Sequence, residues 1–370
     1  MNSVLFWNQP PMRDQTRSVD PLGFVALREA MSDKLVPLLT GATQDADEYL
    51  WTLLGLRWAH ETTNSSVDAT LFGKGFAPFE RALKQYWYKF RGRKSGGINV
   101  VRKLCEEARP DVDRPILVDQ RATGLLGNYI VSLRGMGFVQ KDSLRLHDDA
   151  VDRLLLDIRF DPKRSWTSSW SALNQSFNGI ELKSARQRLG GRLFGGESQE
   201  MIRAAKAVLA RAKASAWAQT ARRELDREQA RLANATTAVV RLEKAALDAF
   251  GELLRGEKTF PAPARRSLRS LAVAVRNADP FPSSWPTGSP LRSAIHDALS
   301  SLGRGREPAL TLLRLHKAVM QVRQTEPWLF QIGGTPAGFE MWRPGIGEPD
   351  FRFRNLRTLV RQTKWRPHAS

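Results

Sequence analysis

The 370-residue chain is predicted to be mainly α-helical and multidomain, with one small α+β portion and a long central helix or helical hairpin. Three observations predict this fold class. Apolar residues recur at helical intervals over most of the chain. Between Gly196 and Gly251, 54 consecutive residues contain neither glycine nor proline. One short stretch places two brief apolar runs on either side of a polar turn, which is typical of a small hairpin.

Charge is the most informative bulk property. Lys and Arg number 57 against 38 Asp and Glu, which gives a formal net charge of +19. A hydrophobic content of 42% excludes a wholly disordered chain, so the excess charge must be offset by a large core or an anionic partner. A single cysteine, Cys105, excludes a disulfide framework and a cysteine zinc site and fits a reducing compartment. Without a run of 18 apolar residues or a signal peptide, we expect a cytoplasmic protein with no membrane partner.

The N-terminal region, residues 1–108, is predicted to be all-helical, with helices near 22–38, 49–58 and 76–90. Its last helix leads into a stretch of seven basic and no acidic residues. Arginine and lysine bind phosphate oxygens, and the glycines at 92, 96 and 97 let backbone N–H groups approach a phosphate. Aromatic residues between the cations either belong to the core or stack on unpaired bases. The candidate phosphate ligands here are Lys84, Lys89, Arg91, Arg93, Lys94, Arg102 and Lys103.

The second region, residues 109–182, supplies the α+β portion. A helix ends at Gly135-Met136-Gly137, two short strands at 138–139 and 144–146 surround a polar turn, and Asp148 and Asp149 begin another helix. The stretch GLLGNYIVSLRGMGFVQKDSLRLHDDAVDRLLLDI resembles the recognition helix, wing and following helix of bacterial winged-helix domains. That resemblance implies either a DNA-binding or a protein–protein module. Its candidate DNA contacts are Arg121, Asn128, Ser132 and Arg134 on the helix, and Lys141 and Arg145 on the wing.

The third region, residues 183–256, has high helix propensity, and as one rod its glycine-free part would span about 80 Å. A heptad seam runs through it and favours a coiled-coil hairpin or a helix laid on a partner. An assembly scaffold is therefore the first alternative function. Near its start, Arg186, Arg188 and Arg192 lie beside glycine pairs and are candidates for a phosphate-binding loop. The seam consists of Leu225, Leu232, Ala235, Val239, Leu242 and Ala246. The run 234–237 has weak helix propensity and is a candidate position for a bend.

The fourth region, residues 257–370, is predicted to contain helices near 268–275 and 309–322 around a proline-rich linker at 280–290. Residues 351–354 alternate like a strand, and the C-terminus is strongly basic. These cations either bind a nucleic-acid backbone or form a disordered tail or a docking strand for a protein. They are Arg352, Arg354, Arg357, Arg361, Lys364 and Arg366.

Catalytic motifs are missing from the sequence. It contains no P-loop, no dinucleotide-binding glycine pattern and no H-E-x-x-H, so neither a cofactor nor a metal site is predicted. Asp111 with Asp119, Gln120 and Arg121 is the one set that suggests a metal-dependent nuclease, which is the second alternative function.

Together these features predict a non-catalytic nucleic-acid-binding subunit, with DNA favoured over RNA. The residues around Gln15-Thr16-Arg17 and Asp20-Pro21-Leu22-Gly23, followed by the winged-helix stretch, are similar to uncharacterised helical proteins encoded beside helicases and nucleases in bacterial anti-phage defence loci. That resemblance implies a defence role and a helicase or nuclease as the protein partner.

Overall fold

A computed structural model describes residues 21–39, 43, 45–158, 160, 166–195, 198–211, 225, 227–254, 260–277, 281, 288–322 and 351–367. These residues are mainly helical, as predicted. The helices are α1 (Phe24–Leu35), α2 (Ala46–Thr63), α3 (Asp68–Thr70), a π-helical turn (Leu71–Phe76), α4 (Ala77–Arg91), α5 (Ile98–Leu104), α6 (Gln120–Thr123), α7 (Leu125–Gly135), α8 (Asp148–Leu155), α9 (Trp170–Phe177), α10 (Lys183–Gly195), α11 (Gln199–Arg211), α12 (Arg227–Leu254), α13 (Ala262–Asn277), α14 (Pro290–Gly303), α15 (Pro308–Val322) and α16 (Phe351–Thr363).

The chain forms two compact units, and neither is a continuous segment. Unit 1 comprises Met1–Pro37 and Lys206–Phe353, and unit 2 comprises Leu38–Ala205 and Arg354–Ser370. Within unit 1, helix α1 therefore packs against α12, which lies far along the sequence. The four regions expected from composition are thus distributed over two units in the structure.

Unit 1 is built around the long helix α12, which packs against α1, α13 and α15, while α14 packs against α13 and α15. Four residues of the predicted heptad seam, Ala235, Val239, Leu242 and Ala246, are buried in the core of this unit. A buried ion pair, Arg28 to Glu243 at 3.3 Å, joins α1 to α12. The seam is therefore covered by helices of the same unit, which removes the observation that favoured a partner helix.

Unit 2 is organised around α2, whose residues Tyr49 to Leu56 are buried on every face, as the sequence predicts. It packs against the π-helical turn, α4, α7 and α10. Its first turn carries Asp47 and Glu48, which suit the positive end of the helix dipole.

The α+β portion is smaller than predicted. Helix α7 ends at Gly135 and α8 begins at Asp148, as expected, but the residues between them form a single antiparallel bridge, Val139 to Leu146. The Gln140 N–H donates to the Arg145 carbonyl at 2.9 Å and closes the turn. The pairing between Val139 and Leu146 is only one bridge long, which is too short to count as a pair of strands. Among the residues that the structure describes, a winged-helix sheet is therefore not present.

Three other predictions of secondary structure are corrected or limited. Residues 351–354 begin helix α16 and are not a strand, because Leu356, Leu359 and Val360 impose a helical period on the whole segment. Helix α14 at Pro290–Gly303 was not predicted. The central segment forms α11 and α12, and most of the residues between these two helices lie outside the described part of the structure. The aromatic residues between 328 and 342 also lie outside it. No bend occurs at 234–237, where α12 is continuous.

Candidate nucleic-acid interface

The cations of the basic stretch, residues 84–103, fall into two groups. Some of them bind other groups of the protein, and we call these internal braces, whereas the others are exposed cations. Lys84 is buried, with 4% of its side chain exposed, and its Nζ lies 2.9 Å from Oε1 of the fully buried Glu80. It faces the core because it is one helical turn after Glu80 on α4. Lys84 therefore cannot reach a phosphate, and its assignment as a nucleic-acid ligand is corrected.

Glu80 is the centre of a buried polar cluster. Its Oε1 also accepts the N–H of Leu125 at 2.8 Å, and its Oε2 accepts the Gln120 amide at 2.9 Å. The carboxylate thus caps the start of α7, whose N-cap residue, Gly124, has no side chain to do so. A Cβ on Gly124 would lie 2.5 Å from Oε2, so only glycine permits this approach.

Three more of the predicted ligands make internal contacts from the surface. Arg93 pairs with Asp45 at 2.7 Å and with Glu48, and it lies over the Trp87 ring. Arg91 donates to Tyr86 Oη at 2.7 Å and to Asn178 at 3.1 Å. Lys89 donates to the Cys105 carbonyl at 2.7 Å and lies 4.1 Å from the centre of the Trp170 ring.

The start of α2 gathers these contacts into a hub, which we define as Asp45, Asp47 and Glu48 with their partners. Asp47 binds Arg186 of α10, and Glu48 accepts from Tyr129 of α7 at 2.8 Å. The Ala46 N–H donates to Gln362 of α16 at 2.7 Å. Desolvation raises the pKa of Asp47 and of Glu48, although Arg186, Tyr129 and Arg93 oppose this shift.

The hub brings together two basic patches that are far apart in sequence. Lys94 follows Arg93, and Arg361 precedes Gln362, so the basic loop and the C-terminal helix meet at the start of α2. Lys94, Arg361, Lys364 and Arg366 are exposed, and no described carboxylate pairs with them. We call these four residues the hub cations.

The remaining members of the two patches have other placements. Arg102 and Lys103 are exposed on the last turn of α5 and pair with no carboxylate among the described residues. Arg357 is half-buried and makes contacts of its own. The side chains of Arg352 and Arg354 lie outside the described part of the structure.

The predicted recognition helix does not present a basic face. Ser132 of α7 is fully buried, Asn128 is half-buried, and the exposed apolar residue Val131 occupies the outer surface. Arg134 donates to the carbonyls of Gln140 and Ser143 and so braces the hairpin.

Cations remain at the hairpin turn and on α6. Lys141 and Arg145 are exposed and form no ion pair with the described residues, whereas Arg121 lies over the Phe72 ring. The hairpin packs on the far end of α2, where His60 Nε2 lies 3.1 Å from the Leu144 carbonyl oxygen. His60 lies 14 residues after Ala46, so about 21 Å of helix separates this hairpin contact from the hub.

The arginines beside the glycine pairs are also braces. They lie on helix α10, so the predicted phosphate-binding loop does not exist. Arg188 pairs with Asp157 at 2.7 Å, and Arg192 donates to the Met136 carbonyl at 3.1 Å. Gly190 is needed for packing, because a Cβ there would lie 2.6 Å from Thr363 Cβ on α16.

The carboxylates suggested for a nuclease serve as local caps. Asp111 accepts the N–H groups of Asp113 and Arg114, and Asp119 accepts the Ala122 N–H at the start of α6. Within the described residues, no three His, Cys, Asp or Glu side chains are grouped as metal ligands. Burial raises the pKa of the Cys105 thiol to about 11, so the thiolate form is disfavoured.

A further set of cations in unit 1 was not singled out from the sequence. Helix α13 carries four exposed arginines and no acidic residue, and the turn between α14 and α15 adds two more. The available signal was an arginine-rich, acid-free amphipathic helix. These residues are Arg265, Arg266, Arg269, Arg276, Arg304 and Arg306.

No family model matches the chain, and no curated protein or solved structure matches it significantly. In the part of the chain that is described, no helix is both long and apolar enough to cross a membrane.

Proposed function

We propose that the protein is a non-catalytic nucleic-acid-binding subunit, with DNA favoured over RNA, that contacts the phosphate backbone. The observation that supports this most directly is the convergence of the hub cations. Two patches from distant parts of the sequence meet at one helix start, and their exposed cations have no described carboxylate partner. Phosphate oxygens are suitable counter-charges for such side chains.

The distinction between cations that already bind carboxylates of the protein and cations that do not supports this proposal. Arg93 and Arg186 already bind carboxylates of the hub and hold the surrounding helices together. The hub cations do not contribute to that framework, so their positive charge remains available to a ligand. A backbone-binding surface of this kind gives affinity without sequence specificity.

A charge-removal variant tests the proposal. We expect K94Q/R361Q/K364Q/R366Q to weaken binding of a plain DNA duplex and to reduce the slope of log affinity against log salt by about 3 to 4, since four phosphate contacts are lost. The matched control is K74Q/R109Q/R114Q/K183Q, which removes four exposed cations elsewhere in unit 2. If both variants lose affinity equally, only the net charge matters and the proposed surface is wrong.

The hairpin turn is tested separately with K141Q/R145Q. We expect a smaller loss, with the salt slope reduced by about 2, if the turn touches phosphate as the winged-helix resemblance implies. An unchanged salt slope would show that Lys141 and Arg145 do not contact phosphate.

A further inference from the structure

We propose a second duplex-backbone site in unit 1, formed by α13 and the turn between α14 and α15. It rests on the proposed function, because it identifies a further surface for the same class of ligand. The residues that carry it lie outside unit 2, so its failure and the failure of the hub surface can be told apart. We call the surface the arginine groove and define it by Arg265, Arg269, Arg304, Arg306 and Arg314.

The first observation is the alignment of arginines on α13. Positions 265, 269 and 276 follow one another by four and seven residues, so they share one face of the helix. All three side chains are exposed, and α13 itself contains no Asp or Glu that could neutralise them. The aligned stripe is about 17 Å long.

The second observation is a glycine-containing turn packed beside this stripe. Gly305 has a φ of +71°, which favours glycine, and a Cβ there would lie 3.6 Å from Arg269 Nη1. Arg276 Nη1 lies 3.8 Å from the position of a Cβ on Gly303. The turn therefore presents Arg304 and Arg306 next to the guanidinium groups of α13.

The third observation is concavity on both sides of the turn. One groove, of about 280 Å³, is lined by Arg265, Arg266 and Arg269. The other, of about 730 Å³, lies between α14 and α15 and is lined by Arg304, Arg306 and Arg314. None of these six arginines makes an ion pair with a residue that the structure describes.

The chemistry of the lining selects the ligand. Every described cation that lines the two grooves is arginine, whose planar fork binds two oxygens of one phosphate. Among the described lining residues there is no aromatic side chain, so unpaired bases find no stacking surface there. A duplex, which offers phosphates and hides its bases, fits better than a single strand.

Two exposed carboxylates oppose the ligand: Asp297 lines the larger groove only, and Glu307, which lines both grooves, gives a specific signature. Glu307 lines both grooves and is exposed, while its backbone carbonyl accepts the Thr311 hydroxyl. A phosphate in the groove would be repelled by this side chain. Neutralising Glu307 should therefore tighten binding, which a purely structural residue would not do.

The experiment measures duplex binding by fluorescence anisotropy over a range of salt concentrations, with the intact chain. We expect R265Q/R269Q/R306Q to reduce the salt slope by about 3, and E307Q to raise affinity several-fold at low salt. The matched control, K34Q/R227Q/R241Q, removes three exposed cations of unit 1 that line neither groove. Circular dichroism confirms that each variant is folded.

The outcomes separate this proposal from the hub surface. A loss in the groove variant that exceeds the control, together with tightening by E307Q, supports the arginine groove. Equal losses in groove and control variants, or a preference of the groove for single strands over duplex, would overturn it. If the hub variant binds normally while the groove variant does not, the unit 2 surface fails and the groove remains.

Discussion

Glu80 is the buried carboxylate on which several neighbours depend, and at the scale of single residues it gives the clearest stability prediction. Glu80→Ala removes the partner of Lys84 and the acceptor of the Leu125 N–H. The Lys84 ammonium group and the Leu125 N–H would then stay buried while they lose the carboxylate that they contact. We expect Glu80→Ala to lower the free energy of unfolding by about 3 to 5 kcal/mol. Lys84→Met should cost less, because Gln120 and Leu125 still satisfy the carboxylate. Chemical denaturation measures both.

The Lys84→Met variant also tests whether Lys84 is a structural residue or a phosphate ligand. If Lys84 is a structural residue, the folded Lys84→Met variant binds duplex DNA with an unchanged salt slope. A slope reduced by about 1 would return Lys84 to the set of phosphate ligands.

His316 predicts how the stability of unit 1 depends on pH. It is buried, with Nδ1 2.9 Å from the Pro21 carbonyl oxygen, and desolvation lowers its pKa from 6.5 to about 4. The unfolded chain therefore binds a proton between pH 6.5 and 4 that the folded chain does not, and stability falls as pH falls through this range. The loss reaches about 3 kcal/mol at a pH of about 4.

The matched pair His316→Asn and His296→Asn isolates this contribution. An asparagine amide in place of the His316 ring can still donate to the Pro21 carbonyl but does not titrate, so that variant should lose the acid-dependent part of the curve. His296 is exposed, with 58% of its side chain accessible, and His296→Asn is the matched replacement of a surface histidine. An acid dependence that survives in His316→Asn would contradict the assignment.

At the scale of elements, the contact between α10 and α16 decides how the C-terminal helix is held. Gly190→Ala places a Cβ 2.6 Å from Thr363 Cβ, and we expect a loss of about 1 to 3 kcal/mol from overpacking. The adjacent Gly191→Ala meets nothing within 4 Å and should gain up to about 1 kcal/mol, because alanine favours the helix. Thermal unfolding of the two variants gives the comparison, and equal shifts would show that α16 is not packed against Gly190.

The helices were the elements that the sequence could predict. The apolar spacing of α2, α4, α12 and α15 is long enough to identify a buried face, and each is a helix in the structure. Short patterns failed, because alternation over four residues at 351–354 does not distinguish a strand from the start of α16. The pairing of α1 with α12 could not be predicted either, since it depends on contacts between residues more than 200 positions apart, such as Arg28 and Glu243.

The binding residues were harder to predict than the helices, for a physical reason. An arginine can brace a carboxylate or face solvent, and composition does not distinguish the two. Arg93 and Arg186 became braces because the start of α2 concentrates carboxylates, whereas Lys94 and Arg361 remained outside those pairs. The arginines of α13 were missed because they are spread along a helix and do not form a run.

At the scale of the whole molecule, where the formal net charge is +19, the described cations fall into two groups. Some cations are paired with carboxylates of the same chain, such as Arg28 with Glu243 in the core and Arg57 with Asp152 on the surface. Others form exposed sets in each unit, the hub cations and the arginine groove. Affinity for a polyanion should therefore depend on these sets, and not on the total charge.

The measurement that tests this account most directly is the salt dependence of duplex binding by the hub variant, the groove variant and their two controls. We predict that log affinity of the unmodified protein falls linearly with log salt between about 50 and 200 mM, and that both surface variants flatten the line while both controls preserve it. Binding that is absent at about 50 mM salt, or that falls by the same amount in all four variants, would contradict the account.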